Sequence, residues 1–467
     1  NYDNVKKLEA KIDTEKNLKN SIRDGMAYSV MSGIAENFFS PFAVFCEFSS
    51  QQIGTIMSLP SSIGNTFQIF TSGILSSSSY RKYWILFGAG LQGIVLFPIG
   101  IFVLFYGKID FIFFLSLIIL YQISGNSIGP LWNSFMGDIV PPSKRGTYFG
   151  LRNSINGFVA CISIAAGGMI LYFFKSNKLE HLGFGLLFGT GFLARMFSVI
   201  FLNKMTDPAY IKGQEKINRN SNFIKLIKNP ENKNYLNFLV FLAFTNLSVF
   251  VAGPYFAVHM LKQLHYNYIE FTAASMVIII SQFLTMRWWG KWSDRYGNRN
   301  LIILTGIGVI VSPVLWIVSG SLAWIILIQI FAGIVWAGFN LCSANYIYDT
   351  LTPEDRTLGF SLNQFCNGIA IFTGATIGGY IAKHLEMESG KFIVGWFGGI
   401  YTFFPLFVIS GFLRFFTLIF FYKRFTEMRQ INQTDPHLLI FLFSKIRPIF
   451  GLTFELVTGY WKNIKTK

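Results

Sequence analysis

Charge is what this sequence has least of. Only 13% of its residues are Asp, Glu, Lys or Arg, about half the share of an ordinary soluble domain, which excludes a water-soluble globular fold. Acid is the scarcer sign, with 23 Asp and Glu against 39 Lys and Arg. Cysteine is rare too: Cys46, Cys161, Cys342 and Cys366 are scattered with no CxxC pair, which argues against thiolate metal ligands and disulfides and leaves small apolar packers. No P-loop and no HExxH are found, so the chain is expected to be no enzyme and no ATP-driven pump, with no cofactor and no metal site. The opening stretch is charged and amphipathic, and no cleavable signal peptide is expected in it.

Apolar length is what the sequence does have. Hydrophobic residues make up 52% of the chain and the mean hydropathy is +0.46. A membrane-crossing helix needs about 20 apolar residues. Such runs fall near 22–45, 51–75, 83–106, 110–136, 147–174, 183–204, 235–260, 268–288, 301–319, 322–347, 357–383 and 393–421, numbered here as spans 1 to 12. The expected fold class is therefore an all-α polytopic membrane protein of twelve transmembrane helices. The short alternating strands of a membrane β-barrel are missing.

The net charge of +16 is distributed as membrane topology, not as a nucleic-acid surface. Lys and Arg gather in the N-terminal tail, at Arg81–Lys82, at Lys144–Arg145, across 204–233, at 291–299 and after Tyr422, while the alternate loops hold few. This positive-inside bias places both termini in the cytoplasm of a multi-pass protein in the inner or plasma membrane. The expected partners are the lipid bilayer and a small-molecule solute, with a monomer as the working unit and no nucleic acid.

The chain also repeats itself. "DIVPPSKRGTYFGLRNSINGFVACISIAAGGMI" from Asp138 aligns without a gap on "DTLTPEDRTLGFSLNQFCNGIAIFTGATIGGYI" from Asp349. Asp138/Asp349, Pro142/Pro353, Arg145/Arg356, Phe149/Phe360, Asn156/Asn367 and Gly157/Gly368 coincide. Span 4 carries Gln122 and then Asn133, and span 10 carries Gln329 and then Asn340, at the same spacing. The ends of spans 6 and 12 match as "GFLARMFSVIFLNK" and "GFLRFFTLIFFYK". Two bundles of six follow, at 22–204 and 235–421. They are flanked by cytoplasmic tails at 1–21 and 422–467 and joined by a basic linker at 205–234. Equal orientation of the halves suits a pseudo-two-fold axis along the membrane normal, with a site between them. The apolar but interrupted stretch "HLLIFLFSKIRPIFGLTFELVTGYW" (437–461) is expected to lie in the interface.

Gly290-Lys-Trp-Ser-Asp294-Arg295-Tyr-Gly297-Asn-Arg299, between spans 8 and 9, is similar to the loop signature of the major facilitator superfamily of secondary transporters. The resemblance extends over about 20–425. The family's stronger copy stands between spans 2 and 3, where this chain has "GILSSSSYRKYW" and serines replace the acid and its arginine. The resemblance implies the family's two-bundle fold and a solute moved by alternating access. It implies a cytoplasmic gate at Gly290, Asp294, Arg295, Gly297 and Arg299, joined by Asp138, Arg145, Asp349 and Arg356. Gly290 would allow close helix approach and Gly297 a tight turn, while Asp294 would meet the N-terminus of span 5 at Gly146–Thr147 together with Arg145 or Arg152. These residues can equally do no more than orient the loops. Span 5 lacks the proline of the antiporter signature, so the resemblance does not favour a drug/proton exporter.

Polar groups inside the membrane are costly and mark function. Gln122, Asn126, Gly129 and Asn133 share one face of span 4, and Gln329, Gly333, Trp336 and Asn340 share one face of span 10. Span 5 contributes Arg152 and Asn156, span 11 Asn363 and Asn367, and span 7 Asn246. Their reading as cavity lining stands beside helix-to-helix glue. Glu36, next to Asn37, lies deep in span 1 and suits a proton carrier, a partner for a cationic solute or a structural hydrogen bond. Arg195 and Arg414 occupy matching places in spans 6 and 12, where snorkelling or loop anchoring is expected. His259 and His384 are expected at the interface, and the 52 phenylalanines as lipid-facing bulk. Besides a coupled transporter, a passive facilitator and a transporter-like receptor or scaffold that binds a ligand or lipid without moving it remain open.

Overall fold

A computed structural model describes residues 2–74, 81–140, 145–207, 223–352, 355–388 and 403–428. The stretch 437–461, the serine run of the loop after span 2 and the first residues expected in span 12 lie outside them. The described residues are helices and short connections. Ten helices are long and apolar enough to cross a membrane: Arg81–Tyr106, Phe111–Ile139, Leu151–Ser176 within Arg145–Ser176, Glu180–Asn203, Pro230–Gln263, Tyr268–Tyr296, Asn298–Ile317, Leu322–Thr350, Leu358–Leu385 within Arg356–Glu388, and Phe404–Phe421. They are spans 3 to 12. Span 2, Ser50–Ile74, is more polar. Span 1 is broken: Tyr2–Ile34 is followed by a single tight turn at Glu36–Phe38 and a short helix at Phe39–Phe45.

Local chemistry sets several ends. The Asp110 carboxylate caps span 4 by accepting from the Ile112 and Phe113 amides at 2.8 and 3.2 Å. Asn267 and Glu270 form a reciprocal capping box at the start of span 8. Gly297 ends that helix at φ +82°, backbone that a side chain rarely adopts.

Each bundle is a ring, 5–1–6–3–4–2 in the first half and 11–7–12–9–10–8 in the second, the same order shifted by six. The open gap of each ring faces the other, and the rings close on one another where span 2 packs on span 11 and span 5 on span 8. Spans 1, 2, 4 and 5 and their counterparts thus surround a central crevice.

The hydrophobic core shows how that crevice is shaped. One cluster takes in Phe42, Phe114, Phe184 and Phe188 of the first half with Tyr255, Phe271, Trp316 and Phe407 of the second. It lies at the end bearing the loops after spans 1, 3 and 5. At the other end the core divides into a second-half cluster around Tyr235, Phe241 and Tyr346 and a first-half cluster around Ile85, Leu131 and Phe135. The bundles are joined at one end, called the sealed end below, and have separate cores at the other, the open end. Phenylalanine is not merely lipid-facing: the Phe42 ring centroid lies 5.1–5.2 Å from those of Phe114, Phe184 and Phe188. Packing of this kind holds helices together in lipid, where apolar burial alone gives little.

The two-fold repeat reaches beyond the spans. Asn17 donates to Thr206 O at 3.0 Å and accepts from its amide at 2.8 Å. Asn234 does the same with Thr426, at 3.1 and 2.9 Å. Asn20 donates to Lys204 O at 3.5 Å and Asn237 to Arg424 O at 2.8 Å. Each bundle therefore ties its first helix to the end of its sixth, and span 1 joins its bundle from about Asn17.

Candidate functional site

Amides expected to line the crevice pair in two places, one in each bundle. Asn126 of span 4 donates to Asn65 of span 2 at 3.0 Å. Asn246 of span 7 donates to Asn367 of span 11 at 2.9 Å. Gln329 donates to Ala274 O of span 8 at 3.1 Å, and Trp336 stands edge-on to Phe339 at 5.6 Å. Gln122 is half-buried, whereas Asn133 and Asn340 are exposed toward the open end. The Asn156 and Asn363 side-chain oxygens are buried and accept no hydrogen bond. Gly333 closes on the Ile278 carbonyl and Ser281, and no atom approaches Gly129.

Glu36 sits at the break in span 1 and accepts from the Tyr121 hydroxyl at 3.4 Å. Asn37 is exposed and donates back to Ser32 O at 3.2 Å. Nearer the open end, span 1 brings Asp24 to two arginines. Arg195 donates to Ser198 at 2.9 Å, Ser198 donates to Asp24 at 2.7 Å, and Arg152 lies 3.5 Å from the other Asp24 oxygen. Arg152 also donates to Ser21 O at 3.1 Å and stacks 4.3 Å over Trp132 of span 4. Asp24 escaped the sequence reading because it stands at the charged start of span 1, where topology accounts for any charge; its i, i+4 relation to Tyr28 was the available signal. Arg195 does not snorkel as expected, and neither does Arg414. Both are 4% exposed, and Arg414 donates to Val309 O at 2.7 Å and Ser312 at 3.2 Å. Each turns its guanidinium to partners inside its own bundle, a shorter reach than the headgroups, and leaves its buried Nε without one. His259 is likewise fully buried, not interfacial, bonded to Gln263 at 2.6 Å among Trp316, Phe404 and Phe407.

At the sealed end the bundles meet through polar groups. The Tyr268 hydroxyl donates to Glu180, Lys175 sits 5.1 Å over the Tyr268 ring, and Lys262 donates to Phe48 O at 3.1 Å. Between Glu47, Lys108, Lys175, Glu180, Tyr266 and Tyr268 a cavity of 330 Å³ remains. Deeper in, Ser62 donates to Gly368 O across the seam of spans 2 and 11. Burial pushes the Cys46 thiol, beyond the end of span 1, up to about 11, as suits an inert packer.

At the open end Ser293, Asn298 and Arg299 of the loop signature bind within their own bundle. Asn298 accepts from Ser293 at 2.5 Å and donates to Asp349 at 2.6 Å. Arg299 holds Phe425 O at 2.8 Å and Tyr422 O at 2.6 Å, and its amide donates to Glu427 at 2.7 Å. The first half matches this: Arg81 pairs with Asp138 and Asp207, each at 2.7 Å, and Lys82 donates to Asn203 O at 2.8 Å. The pair Arg81–Lys82, kept where the signature is lost, thus does the work of Asn298–Arg299. Arg356 donates to Tyr348 O at 3.1 Å, Arg295 lies 5.2 Å from the Tyr296 ring, and Asp294 is exposed. Arg152 faces Asp24, and the Arg145 side chain lies outside the described residues. Gly290 makes no close approach, since its nearest neighbour would be Leu341 at 3.9 Å. Gly125–Gly129 spells GxSxG, but Ser127 is inside span 4 and donates to Ile123 O at 2.5 Å; it is not on the strand-to-helix turn that a nucleophile requires.

Two six-helix rings facing one another define a two-bundle polytopic membrane architecture. The Major Facilitator Superfamily model matches residues 24–285 and 236–461, and the chain belongs to that family. It is 30% identical over 144 residues to a probable peptide/nitrate transporter of Arabidopsis thaliana, covering 31% of this chain and 29% of that protein. It is 28% identical over 137 residues to the class E tetracycline resistance protein of Escherichia coli, covering 29% and 32%. The matched stretch thus spans about three tenths of each relative's length. Among solved structures, a nucleoside transporter superposes with a TM-score of 0.65 at 14% identity, over 88% of this chain and 100% of that one. A D-xylose-proton symporter gives 0.65 at 14%, over 89% and 98%. At such identity these structures speak for the fold.

Proposed function

We propose that the chain is a secondary transporter that carries a small solute by alternating access, in a state open toward the cytoplasm. One observation carries this reading: a single hydrophobic core joins the bundles at one end and becomes two cores at the other. The excess of Lys and Arg at the open end argues that it faces the cytoplasm. Rocking of the rings about the seams of spans 2–11 and 5–8 would break the Tyr268–Glu180 and Lys262–Phe48 contacts and bring the two separate cores together. The exposed Asp294 and the span-5 arginines are then candidates for the latch of the opposite state. Proton coupling belongs to the proposal through Glu36, an acid held at a helix break beside a tyrosine, where discontinuous helices expose backbone to a site. The names of the similar proteins, covering peptide or nitrate transport, tetracycline resistance, nucleoside transport and D-xylose-proton symport, support a small solute without choosing one.

Single cysteines at Asn153 and at Phe48, in a chain whose four native cysteines are replaced, report the two ends. Asn153→Cys is expected to react with a polar maleimide and Phe48→Cys to be protected, with the pattern reversing as the population shifts. Equal labelling of both sites under every condition, with and without Tyr268→Phe, would sink alternating access. Glu36→Gln should remove the pH dependence of uptake into vesicles while leaving exchange at fixed pH. Retained wild-type pH dependence would remove Glu36 from the coupling and favour a passive facilitator.

A further inference from the structure

We infer that the transported solute is an anion, and that Arg152 holds its carboxylate or phosphate. The inference deepens the transport function proposed above and rests on it. In the cluster near the open end of span 1, a single carboxylate, Asp24, serves two guanidinium groups, Arg195 through Ser198 and Arg152 at 3.5 Å. Glu36, the next acid along span 1, also faces Arg195, so Arg195 has two acids within reach while Arg152 has Asp24 alone, at 3.5 Å. The Arg152 and Asp24 side chains are only 12% and 5% exposed, and a charge so placed and so loosely paired gains from a second, closer anion.

The geometry sets that charge where a solute passes. Spans 4 and 5 stand on opposite sides of the gap in the first ring, so the stacking of Arg152 on Trp132 reaches across the mouth of the crevice. Trp132 holds the guanidinium flat; the Arg152 Nε serves Ser21 O and its Nη2 faces Asp24, which leaves Nη1 to donate to an oxyanion. The Asn156 amide lies against the same arginine across Gly25. By the internal repeat, Arg152 corresponds to Asn363 and Asn156 to Asn367, so the two-fold axis puts an amide wall opposite the arginine at equal depth. The side-chain oxygens of Asn156 and Asn363 are buried acceptors without a donor. Together these groups fit a small solute with an anionic head for Arg152 and hydroxyl or N–H groups for the amides.

The test follows thermal unfolding of the full-length protein in detergent with inorganic phosphate, lactate and succinate, and with glycerol and succinamide as neutral comparators. At least one anion is expected to raise the midpoint by about 2–4 °C at saturation while its comparator does not. Arg152→Lys, a point charge without the fork, should weaken half-saturation at least about tenfold, and Arg152→Gln should abolish the shift. Should Arg152→Gln not fold, Asn156→Leu and Asn363→Leu leave the ion pair intact and should each weaken the anion shift. No difference between anions and comparators, or a shift that survives Arg152→Gln unchanged, overturns the inference. The cysteine-labelling experiment separates the two claims: ends that exchange exposure without anion selectivity defeat the anion alone, and ends that never exchange defeat transport.

Discussion

Arg81 shows how one residue can hold a bundle together. It is 3% exposed and holds Asp207, itself 4% exposed, through two hydrogen bonds at 3.0 and 2.7 Å while also meeting Asp138. Removing the cation strands a buried carboxylate, which typically costs about 3–5 kcal/mol. Arg81→Met is expected to lower the unfolding midpoint sharply, with Arg81→Met/Asp207→Leu recovering much of the loss; a single variant as stable as the parent would contradict the pairing. At this scale the sequence was a partial guide. The amide positions Asn126, Asn246 and Asn367 could be read because a polar side chain at helical spacing in an apolar run stands out. Asp24 and the orientations of Arg195 and Arg414 could not, because hydropathy registers that a charge is present and not which neighbour turns toward it.

Among the elements, the helix-end ties carry the clearest expectation. Asn17 and Asn234 each exchange two hydrogen bonds with a threonine backbone in their own bundle. Asn17→Ala and Asn234→Ala should each cost about 1–2 kcal/mol. Because the sites are in different bundles, the double variant should lose about the sum, measured by chemical unfolding in mild detergent. A markedly larger combined loss would mean that the bundles do not behave as separate units. The ties were written in the sequence as "NLKN" and "NYLN", with "KMTD" and "RFTE" at the far ends. Matching by apolar runs stops short of them, since they lie where hydrophobicity has ended. The break at Glu36–Phe38 had a signal four residues on, where Pro41 cannot donate to the Asn37 carbonyl and its ring crowds it, although the apolar run continues through it.

For the whole molecule, the balance between states depends on the few polar contacts across the sealed end. Loss of a hydrogen bond to a charged group is worth about 1.5–3 kcal/mol. Tyr268→Phe, which keeps the ring over which Lys175 sits, should therefore move the open-end to sealed-end labelling ratio about tenfold or more toward the opposite state. An unchanged ratio would mean that the shared aromatic core alone sets the equilibrium. The twelve spans and their duplication were legible at this scale, because length and repeated spacing survive in one dimension. The direction of opening was not, since it is a property of how two finished bundles meet.

The matched ties at Asp207 and Glu427 have a consequence for chain continuity. Each half completes its own ring before the next begins, so the covalent join between the halves carries little folding information and acts as a tether that raises local concentration. Two polypeptides cut between Asp207 and Phe223 and produced together in one cell should find each other in the bilayer and rebuild the carrier.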